Sequence, residues 1–156
     1  MRYRLTNKTR IPTKYLKTLI EFSLPEGVDD VKIIVMYDDT QSAWHGIQIQ
    51  DKKLIKIWIA KKDEDLGFPR FSNSPVMKKC GYNPIFKVNN IYEVLVSLFA
   101  HELRHVWQKH VSKQNFSSGR LCKYKDWDGK IHYSIYRRET DACKYAKKIL
   151  DKYKKI

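Results

Sequence analysis

An α+β fold is predicted by three features of the 156-residue chain. Val31-Lys-Ile-Ile-Val-Met-Tyr37 is dense in β-branched residues, two alternating runs close behind it read as a hairpin, and two long stretches carry apolar residues at helical spacing. Together they predict an N-terminal helix, a small and mostly antiparallel sheet, and two later helices. The length fits one domain over residues 1–156, with enough chain to bury a core.

In chain order, residues 12–22 read as the first helix. Pro12 sits at its first helical position, and Tyr15, Leu16, Leu19, Ile20 and Phe22 are its apolar residues. Pro25-Glu-Gly27 ends it, and the strand 31–37 follows. Gly46-Ile-Gln-Ile-Gln50 and Leu54-Ile-Lys-Ile-Trp-Ile-Ala60, joined by Asp51-Lys52-Lys53, predict a hairpin. Residues 61–88 hold Gly67, Pro69, Pro75, Gly81 and Pro84 without a sustained period, and read as a long loop. A helix over Asn90–Val111 is expected next, with Asn89 or Asn90 as its cap. Leu121–Tyr136 then reads as a hairpin turning at Asp128-Gly129, and a last helix covers Arg138–Tyr153.

Composition narrows the classes. Lys and Arg number 31 against 17 Asp and Glu, a formal charge of +14, which favours anionic partners. Most of the surplus is lysine dispersed along the chain with no nucleic-acid motif attached, so weak, sequence-indifferent nucleic-acid binding is the expectation. No apolar run is long enough to span a bilayer, and the start Met-Arg-Tyr-Arg-Leu-Thr lacks a signal-peptide core, which predicts a cytoplasmic monomer free of membranes. Cys80, Cys122 and Cys143 are widely spaced and odd in number, so reduced thiols are expected.

The chemistry concentrates in Leu98-Phe-Ala-His101-Glu102-Leu-Arg-His105-Val-Trp107, an H-E-x-x-H inside the predicted second helix. Composition alone yields roughly 0.006 such matches in a chain of this make-up. Ile91, Val94, Leu98, His101 and His105 step by 3, 4, 3 and 4, so both imidazoles share one face and can reach a single cation. A catalytic zinc needs one more protein ligand beside an open place for water. On the last helix Glu139, Ala142, Ala146, Ile149 and Tyr153 repeat the same steps, which makes Glu139 the expected third ligand. Asp141 is rotated about 200° from that stripe. Cys143 is the runner-up, and His132 would need the 121–136 hairpin to fold over the site.

H-E-x-x-H is the zincin signature, and the chain resembles that metallopeptidase superfamily. Gln108 and Val111 stand where metzincins need Gly and His, and Cys143 stands where thermolysin-like gluzincins have Asp. Glu139-Thr-Asp-Ala-Cys-Lys-Tyr-Ala146 is similar to the E-x-x-A-x-x-[FY]-A helix of small metallopeptidases that cleave phage repressors and radiation-response regulators. Arg104 departs from the Gly usual there, and the Leu-Leu-Met-Pro-like run is replaced by Ile149-Leu-Asp-Lys152. SprT-like proteases are a more distant resemblance, because His132 lacks the Gly that follows in their motif. The resemblance implies the minimal zincin fold, zinc on His101, His105 and Glu139, and hydrolysis of a peptide or protein substrate. Glu102 would act as general base, and Tyr133, Tyr136 or His132, all on the strand that leads into Glu139, are candidate oxyanion donors. The alternatives are a SprT-like DNA-associated protease, a basic nucleic-acid-binding module with a structural zinc, and a catalytically silent interaction protein.

Overall fold

The computed structural model describes residues 1–38, 45–49, 52–60, 88–125 and 129–156. It is α+β. Strand β1 (Tyr3–Asn7) leads to helix α1 (Thr13–Ser23), then to strands β2 (Val31–Asp38), β3 (His45–Ile49) and β4 (Leu54–Ala60). Helix α2 (Ile91–His110), strands β5 (Leu121–Lys125) and β6 (Ile131–Ile135) and helix α3 (Tyr136–Tyr153) complete the described residues.

The main sheet has the order β1-β2-β4-β3. Both β1 with β2 and β2 with β4 pair in parallel, and only β3 with β4 is antiparallel. The expectation of a mostly antiparallel sheet is therefore corrected. Its hairpin exists, but β4 inserts between β2 and β3, and β1 adds a strand that the short polar run Tyr3-Arg-Leu-Thr-Asn7 does not announce. Parallel neighbours need a crossover, which α1 supplies between β1 and β2. The central places go to the most apolar strands: Val31, Ile33 and Val35 of β2 and Ile55, Ile57 and Ile59 of β4 are wholly buried.

Those six side chains join Leu16, Leu19 and Ile20 of α1 and Val94, Leu95, Phe99 and Leu103 of α2 in one core. Every residue from Glu93 to Ala100 is buried. That is the pattern of a central helix, and α2 packs on α1, β3, β4 and α3. Asn90 caps it by accepting from the Glu93 N–H (3.0 Å), and the Glu93 carboxylate in turn accepts from the Asn89 N–H. Gly27, at φ +85°, turns the chain after α1, where a side chain would collide with Val111 just beyond α2.

The second hairpin is present, pairing Leu121 with Ile135 and Lys125 with Ile131. Gly129 takes the positive φ such a turn needs, and Asp128 lies outside the described residues. The long loop predicted over 61–88 also falls outside them, apart from Val88. Cys122 on β5 is disulfide-bonded, against the expectation of three reduced thiols, because spacing along a chain does not report which cysteines meet in space. Disulfides persist in oxidising compartments, so this bond lends no support to a cytoplasmic setting. Among the described residues no helix is long and apolar enough to cross a membrane.

Candidate metal centre

Helix α3 lies against α2 through Ala142 and Ala146, both buried, whose small side chains let the two backbones approach. His101 and His105 face this seam from α2, and Glu139 enters it from the first turn of α3. His101 Nε2 lies 3.2 Å from His105 Nε2 and 3.2 Å from Glu139 Oε2, while His105 Nε2 lies 3.4 Å from Glu139 Oε1. These three residues form the one such ligand group among the described residues.

The group fits zinc. Tetrahedral donors at zinc–ligand lengths of 2.0–2.2 Å sit about 3.3 Å apart; the two imidazole nitrogens, 3.2 Å apart, match that spacing, and one ligand atom from each of the three residues lies within 4.8 Å of the others. Two imidazole nitrogens and one carboxylate oxygen are also donors that zinc favours.

Each imidazole is supported differently at its other nitrogen. Gln108 Nε2 donates to the Arg138 carbonyl (2.8 Å) and to Asp141 Oδ2 (2.8 Å), which engages both of its N–H groups. Its Oε1 therefore faces His105 Nδ1 at 2.9 Å and accepts the ring N–H. That fixes the tautomer and leaves the His105 Nε2 lone pair bare toward the site. Asp141 is gripped by Arg104, whose Nε and Nη2 donate at 2.8 and 3.1 Å, and the Arg104 guanidinium lies 3.6 Å from the Trp107 ring centre. Among the described residues, the Cys143 thiol stands behind His101, with Sγ 3.6 Å from Nδ1. Ser134 on β6 donates to Glu139 Oε1 at 3.1 Å.

Burial alone would favour neutral forms throughout this seam. For His101 it is outweighed by the contacts with Cys143 and Glu139, which hold its pKa well above the ordinary value. For Glu139, burial is outweighed by the charge and hydrogen bonds of the two histidines, which hold the carboxyl well below the usual range. The donors are thus poised around positive charge, which a cation can supply in place of a proton.

Glu102 is buried beside His101 and its charge acts on that ring. Tyr133 is 63% exposed, and lies one residue from Ser134, hence on the opposite face of β6. Tyr136 opens α3 with the Arg120 guanidinium 4.2 Å from its ring centre. Among the described residues neither tyrosine is bonded to the three donors, whereas Ser134 is. Asp141 does lie off the Glu139 stripe, as helical phase predicts, yet it is half-buried in the seam and bonded across it. Gln108 stands three residues after His105 and shares its face, so helical spacing alone places its amide beside that ring. No protein-family model matches the chain, and neither curated proteins nor solved structures include a match.

Proposed function

We propose that this chain is a zinc-dependent peptidase, a reading carried by the triangle of His101, His105 and Glu139 with Glu102 next to it on α2. When bound, zinc would lower the pKa of water toward ~7 and polarise a carbonyl. His101, His105 and Glu139 would hold the ion. Glu102 would take up a proton at its carboxylate and return it to the leaving amine, from a position one residue along the helix from a ligand. Ser134 would steady Glu139, and Gln108 would steady His105. A peptide substrate would lie as an added strand along β3, because among the described residues β3 forms the edge of the sheet, and it packs beside α2. The other strand of its hairpin, β4, is interior and offers no edge.

One feature favours a second reading, a peptidase working beside nucleic acid. Lys144, Lys147, Lys148 and Lys152 line one side of α3 and Lys155 follows just beyond its end, with Asp151 the single acid among them. Cleavage stimulated by added DNA at physiological salt would select that reading.

The main test combines metal analysis with a peptide-library digest. Tag-free protein should carry one zinc per chain and cleave peptides. Glu102→Gln should keep the zinc and lose activity by ~100-fold or more, the usual scale for a general base. Absence of stoichiometric metal after zinc reconstitution would sink the proposal.

A further inference from the structure

Beside His105 the surface folds inward into a cavity of about 380 Å³, bounded by His105, Gln108 and Lys109 of α2, by Phe116, and by Arg138 at the start of α3. The volume lies in the range of small-ligand pockets, and one wall is the flank of a proposed zinc ligand. The walls are pre-formed. Phe116 is buried, with the Trp107 ring 6.4 Å and the Arg137 guanidinium 5.2 Å from its centre. The Gln114 and Ser117 N–H groups donate to Ser112 Oγ and Asn115 Oδ1, so the segment between α2 and β5 is tied down by its own side chains.

The lining is cationic. Lys109 and Arg138 contribute to it, and among the described residues no carboxylate does. Arg138 is half-buried, its carbonyl is held by the Gln108 amide, and its guanidinium has no acceptor among the described residues. A guanidinium in that position offers a planar fork of donors matched to a carboxylate.

We infer that this cavity is a substrate subsite for a carboxylate, supplied by an Asp or Glu side chain or by the free C-terminus of a peptide. The inference rests on the peptidase reading of the adjoining centre, but its test does not require turnover. Zinc-loaded Glu102→Gln protein is titrated, with NMR shifts as the readout, with the blocked peptides Ac-Ala-Ala-Xaa-Ala-Ala-NH2, where Xaa is Glu, Gln or Lys. Ac-Ala-Ala-Ala-OH is compared with its amide in the same way.

A preference for Glu over Gln of about tenfold identifies a side-chain carboxylate, and an equal preference for the free acid over its amide identifies a terminus. Either preference should collapse when Arg138→Gln is added and weaken with Lys109→Gln. It should survive Lys148→Gln, an exposed change that lowers net charge equally. If Arg138→Gln fails to fold, Lys109→Gln decides. Equal binding of acid and neutral peptides, or equal loss with Lys148→Gln, would overturn the subsite. Peptides that bind with the preference but are never cut by wild-type protein would leave the subsite standing and remove the peptidase.

Discussion

The two histidines of the motif share a helix and a face but not a supporting environment. His105 is backed by an amide whose every hydrogen-bonding group is engaged, anchored to the α3 backbone and, through Asp141, to Arg104. His101 is backed by a thiol at 3.6 Å, a weak partner able to donate or accept. One imidazole is held in a single tautomer before any metal arrives, and the other can adjust. A motif that treats its two histidines alike therefore conceals two different surroundings; on the proposed zinc reading, His105 would set the geometry and His101 would accommodate it.

The comparison breaks most sharply at Gln108. Gln108→Leu keeps bulk and removes the acceptor, so zinc affinity should fall 10–100-fold, the range typical of lost outer partners. Nitrogen-15 shifts of the His105 ring in metal-free protein should change from one tautomer to a mixture. Unchanged affinity together with an unchanged tautomer would remove Gln108 from any positioning role.

The thiol side should respond less. Cys143→Ala deletes a weak contact in a buried position, and zinc affinity, read by competition with a chelator, should change by no more than about threefold. A loss as large as that of Gln108→Leu would show that both ligands depend equally on their backing, and the asymmetry would be gone.

The smallest effect concerns Asp141. Burial would raise its pKa, but hydrogen bonds from Arg104 and Gln108 outweigh that and lower it. A carboxyl with a depressed folded-state pKa adds stability that is complete above its unfolded value of ~3.9 and disappears as pH falls through the folded value. Urea midpoints of wild type and Asp141→Asn should therefore differ by a constant amount from pH 7 to about pH 5, and converge below about pH 4. A gap that persists into acid would show that packing, not charge, carries the contribution.

The same asymmetry explains what could be read from the chain. Spacings of three and four locate His101, His105 and Glu139, because helical periodicity turns sequence distance directly into a shared face. The β-branched runs at 31–37 and 54–60 locate two strands for a similar local reason. Sheet direction is not local. Whether β4 lies beside β2 or outside β3 depends on competition for the interior, and β1, with Arg4 and Thr6 exposed, carries too little apolar signal to be counted in advance. Asp141 shows the limit of periodicity, since a residue off the buried stripe of its own helix still reaches Arg104 and Gln108 on the next. The Cys122 disulfide likewise depends on contacts that spacing cannot reveal.

Glu139 and the two histidines come from separate helices, connected along the chain by residues 111–135, so the group of three exists only while α3 is docked on α2. Any local opening that lifts α3 also dismantles the ligand set. A bound ion must then deepen the free-energy well of that one segment more than it deepens the rest. Amide hydrogens of α3 should exchange with solvent far more slowly in the metal-loaded protein, while those of β1, at the opposite edge of the sheet from β3, keep the pace set by fraying of that edge. On the proposed zinc reading, the last helix would thus link occupancy of the centre to the local dynamics of the chain.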